Sequence, residues 1–394
     1  MRCGPAGAIL TFLLIPASMP AQNTLEDGLA RAHQALERGD LTGAEKQFRE
    51  LARVYPKSFV VHNDLGALYL QQHRYPQACR ELSAALALNS GSADVQRNLG
   101  TCYFLRNDFQ AALAPLERAK ALEPGDLRTH YQLGYSLLML GQPDAAQTEL
   151  EQVAAKMPGE ENTLFALVKV YQAKRDQDKA AGTFQKLQQS HPDSVFVHIL
   201  MGESYDIQEK LDEAIAEYQK AQALAPGMPR LHFDLGFLYW EKQHYAEAAA
   251  EFQEELKINP EFTPAFYYLG DVALEQNDPA GAARLFSSAV SRNPACLDAY
   301  IGLGKAYSRL REMPKAIESF EKANRLDDNQ PDVHYWLAKS YRSQGQTEKS
   351  EQELKRFQSL KDKSAAAPQS AHPAHDRWTS TSCMPASNLR PSKP

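Results

Sequence analysis

Cysteine is scarce in this sequence. Five cysteines occur in 394 residues, and no two of them are spaced as Cys-x-x-Cys. Metal sites and redox motifs commonly use that spacing, so no metal site is expected. Cys79 and Cys102 fall in adjacent helical segments and could approach each other, but the sequence does not pair them. The alternative is that each is a small buried apolar residue.

The chain also has no excess of basic residues. Its formal net charge is -6 at pH 7, and no basic stripe runs along it. Proteins that bind nucleic acid neutralise phosphates with clustered Lys and Arg. We therefore expect no nucleic-acid partner.

Catalytic motifs are missing too. The sequence contains no GxSxG, no phosphate-binding loop, no GxGxxG and no HExxH. His372, His375 and Asp376 resemble a ligand cluster, but they lie in a C-terminal segment that offers no supporting shell. We expect a non-enzymatic protein with no catalytic residues, no cofactor and no metal.

Long apolar runs are limited to the N-terminus. Arg2 precedes the apolar run Ala6–Ala17, and the small-residue sequence Met19-Pro20-Ala21 follows it. This layout predicts a cleavable secretory signal over residues 1–21, and hence a periplasmic or secreted protein. A retained anchor is the alternative. No second run of about 20 apolar residues appears downstream, so no membrane span is expected after cleavage.

What the sequence does have is a repeat of 34 residues, without insertion or deletion from residue 25 to about 361. Ten repeats start at residues 25, 59, 93, 127, 161, 195, 229, 263, 297 and 331. Slots are counted from the first residue of each repeat. Slot 20 is Ala in nine repeats, and only Ser350 departs from it. Slot 8 is Gly in seven repeats: Gly66, Gly100, Gly134, Gly202, Gly236, Gly270 and Gly304. Small residues at both slots allow two antiparallel helices to approach closely, which explains glycine despite its cost of about 1 kcal/mol in a helix.

Three further slots complete the pattern. Slot 24 is always large and apolar, slot 11 is usually Tyr, and slot 32 is usually Pro, which ends the second helix. Repeat 7 shows the order in full: Leu235-Gly236, Tyr239, Ala248, Phe252 and Pro260. This order resembles the tetratricopeptide repeat over residues 25–364. The resemblance implies an all-α, right-handed superhelical solenoid of ten helix-turn-helix units, in which the first helices line a concave groove that holds partner peptides.

The two ends of the array depart from the pattern. Arg31 and Ala35 replace the usual Leu and Tyr in repeat 1, and repeat 10 has Ser350 and a charged second helix. Both ends are expected to face water, as terminal repeats do. Residues 365–394 are rich in Ala, Pro, Ser and Thr, which predicts a disordered tail.

A helical wheel at 100° per residue assigns the partner-binding groove. Slots 4, 7, 8 and 11 carry the packing residues, whereas slots 2, 5, 9, 12 and 13 lie on roughly the opposite side. Nine aromatic residues occupy this second set: Phe104, Tyr131, Tyr135, Phe165, Phe196, Phe233, Phe237, Trp240 and Tyr267. We expect them to form a binding patch, because aromatic residues suit hot spots. The alternative is that they fill gaps between neighbouring first helices.

Charge divides the predicted groove. Glu203, Asp206, Asp271 and Glu275 lie among the aromatic residues, and a basic group follows in repeats 9 and 10: Lys305, Arg309, Lys339 and Arg342. This order predicts a partner with apolar anchors and a carboxylate toward the C-terminal end. A solvated charged face is the alternative.

Two specialised groove types of the family are not matched. The first three repeats offer Asn63 and Arg97 but not the rest of a Lys-Asn-Asn-Lys-Arg set, and slot 6 carries a single Asn98 instead of an Asn ladder. The preferred interpretation is a scaffold or adaptor for a protein or peptide. Two others remain open: an accessory repeat subunit of an envelope glycosyltransferase or polysaccharide-export complex, and a self-associating structural protein.

Overall fold

A computed structural model describes residues 24–366 and Cys383. The predicted signal over residues 1–21 and most of the predicted tail lie outside the described residues. The described part contains twenty α-helices and no strand, so the predicted all-α class of ten helical hairpins is confirmed.

The helices follow one another in pairs, one pair to each 34-residue repeat. Their bounds are α1 Leu25–Glu37, α2 Leu41–Val54, α3 Phe59–Gln71, α4 Tyr75–Leu88, α5 Ala93–Leu105, α6 Phe109–Leu122, α7 Leu127–Met139, α8 Pro143–Lys156, α9 Glu161–Ala173, α10 Gln177–Ser190, α11 Val195–Ile207, α12 Leu211–Leu224, α13 Leu231–Glu241, α14 Tyr245–Ile258, α15 Thr263–Glu275, α16 Pro279–Arg292, α17 Leu297–Arg309, α18 Met313–Leu326, α19 Pro331–Ser343 and α20 Thr347–Ala366. Odd-numbered helices are the first helices of their repeats, and even-numbered helices are the second.

Close packing within each hairpin depends on the small residue at slot 8. A Cβ atom added to Gly66 would lie 2.5 Å from Leu82 Cγ, and one added to Gly304 would lie 2.5 Å from Phe320 Cε1. These partners occupy slot 24 and are fully buried. The large slot-24 side chain therefore fills the space that the missing Cβ leaves, as the sequence pattern predicts.

Each turn between paired helices contains one residue in the left-handed conformation, always at slot 15. Glycine supplies it in three repeats, with φ of 76° at Gly39, 71° at Gly141 and 72° at Gly345. In the other seven repeats a non-glycine residue takes φ between 57° and 62°: His73, Asn107, Arg175, Glu209, Gln243, Asn277 and Arg311. The turn thus has one backbone geometry in all ten repeats, although its residues differ.

The chain divides into two compact regions, an N-terminal region ending at Thr129 and a C-terminal region beginning at His130. The division falls inside α7. In the N-terminal region α1 to α6 pack consecutively, and in the C-terminal region α8 to α20 do so. The following sections treat the two regions separately.

Four cysteines form two disulfide bonds, so the alternative that Cys79 and Cys102 are buried free thiols is not what the structure shows. Cys79 in α4 is disulfide-bonded to Cys102 in α5, with Cα atoms 5.7 Å apart. Cys296, at the N-cap of α17, is disulfide-bonded to Cys383. Helix α20 continues to Ala366, two residues into the predicted tail, and Cys383 is buried.

Candidate functional site

Two of the nine predicted groove aromatics are not on the surface. Phe233 and Phe237 of α13 are both 0% exposed, so the prediction that they face solvent is wrong. Phe237 packs against Tyr268 of the next first helix, with ring centroids 5.4 Å apart, and Phe233 packs against Phe262 at 5.0 Å. Neighbouring first helices lie side by side, so the flank of α13 is covered by α15. Here the alternative of gap filling is correct.

The other seven aromatic residues are half-buried: Phe104, Tyr131, Tyr135, Phe165, Phe196, Trp240 and Tyr267. Most of them contact aromatic neighbours. Phe165 and Phe196 stack with ring centroids 4.5 Å apart, and Tyr131 lies 6.1 Å from Tyr135. Burial raises the pKa of Tyr267 well above its usual value. Phe165, Phe196 and Trp240 therefore fill the space between neighbouring first helices, and each of the seven rings leaves only part of its surface to solvent.

Five of the six predicted charged groove residues of repeats 8 to 10 meet in one cleft. It has a volume of about 400 Å³ and lies between the first helices α15, α17 and α19. Its lining residues are Asp271, Leu274, Glu275, Lys305, Ser308, Arg309, Met313, Trp336, Lys339, Ser340 and Ser343. We call it the Trp336 cleft.

The basic side of the Trp336 cleft consists of Lys305, Arg309 and Lys339. Lys339 Nζ lies 4.7 Å from the centroid of the Trp336 ring, and Lys305 Nζ lies 5.8 Å from it. Arg309 donates through Nη1 to the carbonyl oxygen of Leu274. Arg342, the fourth predicted cation, is exposed but does not line the cleft. Within residues 24–366, none of the three cleft cations forms an ion pair with a carboxylate.

The acidic side of the Trp336 cleft consists of Asp271 and Glu275. The indole Nε1–H of Trp240 donates to Asp271 Oδ2 at 2.8 Å. Burial raises the pKa of Asp271, while the Trp240 hydrogen bond and the charges of Lys305 and Arg309 act in the opposite direction. Trp240, predicted as an aromatic anchor, thus also fixes the position of a carboxylate.

Trp336 was not among the predicted site residues. It occupies slot 6 of repeat 10, its ring stacks on Phe320 with centroids 6.0 Å apart, and two lysines flank it. The signal was available in the sequence, because slot 6 lies beside slots 13, 2 and 9 on a helical wheel of 100° per residue. Ser308 and Ser340 donate to the carbonyl oxygens of Gly304 and Trp336 at 2.8 Å each, so their hydroxyl protons are engaged.

Five repeats carry a histidine at slot 4, and these have a structural role: His62, His130, His198, His232 and His334. Each places Nδ1 within 2.8 Å of a glutamate at slot 23 of its own repeat: Glu81, Glu149, Glu217, Glu251 and Glu353. In His62, His232 and His334 the other ring nitrogen faces a carbonyl oxygen of the preceding turn. Each histidine therefore ties the two helices of one hairpin together, and in these three it also ties them to the turn before.

No group of three or more His, Cys, Asp or Glu side chains is arranged to hold a metal ion within the part of the chain that the structure describes. Among the helices of residues 24–366, none combines the length and apolar character that a membrane crossing requires.

Profiles of the tetratricopeptide repeat match along the chain. The matched residues are 29–78 and 267–331, 57–123, 202–243, 229–262, 163–194 and 332–360, and 127–152. No curated protein matches the sequence.

Solved structures of the same fold cover most of the chain. Cut9, in the crystal structure of the APC/C hetero-tetramer Cut9-Hcn1, is similar with a TM-score of 0.56 at 18% identity, over 86% of this chain and 74% of that one. A monomeric mutant of IFIT1 with Gppp-AAAA is similar with a TM-score of 0.52 at 17% identity, over 87% of this chain and 82% of that one. At these identities the likeness shows the fold.

Proposed function

Because tetratricopeptide repeats run along this chain, we propose that it is a non-enzymatic scaffold that holds a protein or peptide partner and seats an anionic group of that partner in the Trp336 cleft. Proteins of this repeat family are protein-interaction scaffolds. The single observation that carries the proposal is the basic side of the cleft. Lys305 and Lys339 flank the Trp336 ring, Arg309 lines the same cleft, and none of the three forms an ion pair with a carboxylate of residues 24–366.

The chemistry of the Trp336 cleft suits a carboxylate. Lys305 is half-buried, whereas Arg309 and Lys339 are exposed. A half-buried cation attracts an anion more strongly than a fully hydrated one does, because water screens the charge less. The Trp336 ring offers apolar contact area beside the cations, and tryptophan and arginine are frequent at binding hot spots. An acidic side chain or a chain terminus of an extended peptide would meet both features.

Binding of a diglutamate peptide in an alanine–serine background tests the proposal. We expect Lys305→Gln/Lys339→Gln to weaken binding by about tenfold or more, because both charges next to Trp336 are lost. The matched control is Lys169→Gln, which removes a lysine from the same slot of repeat 5. Isothermal titration calorimetry measures both, with far-UV circular dichroism as a check on helicity. Equal affinity in the double variant and the control would remove the cleft from consideration.

Export of the protein is part of the proposal. Its support is cysteine pairing, since all four cysteines outside residues 1–21 are disulfide-bonded, which is typical of an oxidising compartment. Thiol alkylation of protein taken from its native host, without prior reduction, tests this. Four reactive thiols in the native protein would argue for a reducing compartment and against export.

A further inference from the structure

Slot 9 of neighbouring repeats provides an internal comparison of charge pairs. In repeats 5 and 6 this slot holds Lys169 and Glu203, and Lys169 Nζ lies 2.7 Å from both carboxylate oxygens of Glu203. In repeats 8 and 9 the same slot holds Asp271 and Lys305. These two side chains also have opposite charges and occupy equivalent positions, but they form no ion pair within the described residues. Side chains at slot 9 of adjacent repeats can therefore form an ion pair. Asp271 and Lys305 occupy such positions without forming one.

Neighbouring tryptophans explain why Asp271 and Lys305 stay apart. Trp240 from the preceding repeat donates to Asp271 Oδ2, and Trp336 from the following repeat lies under the Lys305 ammonium group. Among residues 24–366, no donor reaches the other oxygen, Asp271 Oδ1. Each charge is held by a ring on its own side and keeps bonding capacity toward the Trp336 cleft.

Slot 13 repeats the same order of charges. Glu275 in repeat 8 and Arg309 in repeat 9 lie one helical turn beyond Asp271 and Lys305, and Lys339 continues the basic side in repeat 10. The cleft therefore changes sign between α15 and α17. A purely acidic ligand would satisfy the basic side and approach two carboxylates, which is unfavourable.

We propose that the Trp336 cleft binds a dipolar peptide segment, whose cationic side chain lies against Asp271 and Glu275 and whose carboxylate lies against Lys305, Arg309 and Lys339. This inference rests on the proposed function and narrows its ligand. The charges of the cleft then form ion pairs only when the ligand is bound. A peptide with its charges in the opposite order, or with charges of one sign, leaves either the acidic or the basic side of the cleft without an ion pair.

The helix spacing sets the distance between the two ligand charges. Packed helices lie about 8–10 Å apart, and an extended peptide advances about 3.3 Å per residue. The ligand's basic and acidic residues are therefore expected about three positions apart along an extended chain.

The test uses short peptides of one alanine–serine background that carry one lysine and one glutamate at spacings from one to about eight positions, in both orders. Diglutamate and dilysine peptides at the best spacing are the references. We expect one order at a spacing of about three positions to bind about tenfold more tightly than the diglutamate peptide. Isothermal titration calorimetry at low salt supplies the dissociation constants, because screening weakens charge selectivity.

A neutralised acidic side gives the decisive comparison. Asp271→Asn/Glu275→Gln is expected to bind the dipolar peptide about tenfold more weakly and the diglutamate peptide at least as tightly as the unaltered protein, since a repulsive carboxylate pair is gone. Glu203→Gln, which removes the slot-9 carboxylate of the closed pair, is the matched control and is expected to leave both affinities unchanged. Circular dichroism shows whether each variant keeps its helicity.

The outcomes separate this inference from the proposed function. Binding of the diglutamate peptide without any preference for a dipolar one overturns the inference and leaves the scaffold proposal in place. Binding of neither peptide overturns both. If the variant with neutralised Asp271 and Glu275 still binds the dipolar peptide more tightly than the diglutamate peptide, the inference is also overturned, because the acidic side would then not contribute to binding.

Discussion

Charged and polar side chains of the first helices are paired in the N-terminal region, whereas those of the Trp336 cleft in the C-terminal region are not. In the N-terminal region such contacts join polar or charged side chains. His33 Nε2 lies 2.9 Å from Asp64 Oδ2, Asn98 donates to Asn63 at 3.0 Å, and Arg97 forms ion pairs with three carboxylates. In the C-terminal region tryptophans support Lys305 and Asp271 of the Trp336 cleft, and neither forms an ion pair with another described residue. The comparison teaches that charges without an ion-pair partner, more than aromatic content, distinguish a candidate site from the scaffold.

The largest expected effect comes from removing a slot-24 phenylalanine. Phe320→Ala is expected to lower the free energy of unfolding by about 3–5 kcal/mol, because a fully buried ring leaves a cavity. It also removes the ring on which Trp336 stacks, so affinity for anionic peptides should fall. Phe48→Ala, the same slot in the N-terminal region, should cost similar stability without loss of affinity. Urea unfolding measures the stability of both variants, and calorimetric titration measures their peptide affinity. Equal losses of affinity in the two variants would show that the effect of Phe320→Ala on binding is not local.

Next in size is the N-terminal disulfide. The Cys79–Cys102 bond closes a loop of 23 residues, for which chain entropy predicts a stabilisation of about 3 kcal/mol. Cys79→Ala/Cys102→Ala should therefore raise the rate of amide hydrogen exchange in α3 to α6 and leave α15 to α19 unchanged. Mass spectrometry of exchanged peptides provides the measurement. An equal increase at the Trp336 cleft would show that the two regions unfold together.

Trp336 itself is expected to matter for binding more than for folding. Trp336→Ala removes the surface between Lys305 and Lys339, and loss of such a hot-spot side chain typically costs about 2 kcal/mol of binding free energy. His33→Ala, at the Lys305-equivalent slot of the N-terminal region, should not change binding. Isothermal titration calorimetry with the diglutamate peptide compares the affinities of the two variants. If His33→Ala proves as harmful as Trp336→Ala, the assignment of the site to the C-terminal region is wrong.

The smallest effect should be the same in both regions. Gly39→Ala and Gly345→Ala each place a Cβ on a residue with φ above 70°, which costs about 1 kcal/mol. Because the turn geometry is shared by all ten repeats, the two substitutions should destabilise their regions equally and leave peptide binding unaltered. Exchange rates of the adjoining helices measure the cost in each region. A clear difference would indicate that the turns are not equivalent.

Most of the fold could be predicted from the sequence, because close packing restricts slots 8, 20 and 24 to particular residue sizes. The uniform turn at slot 15 was not predicted, since seven of its ten residues are not glycine. The candidate site was predicted in part. Lys305, Arg309 and Lys339 converge as expected, whereas Phe233 and Phe237 are buried because Tyr268 and Phe262 cover them. A helical wheel gives the direction of a side chain but not the size of the neighbour that it meets.

The most direct test of the proposed site is a titration followed through the indole ¹⁵N–¹H signals of the protein's three tryptophans, assigned by single Trp→Phe variants. On addition of the diglutamate peptide, the account predicts a saturable shift of the Trp336 signal, with a dissociation constant equal to the calorimetric one. The signal of Trp240 should move less, because its N–H remains bonded to Asp271. Saturable peptide binding with the Trp336 signal unmoved would contradict the account.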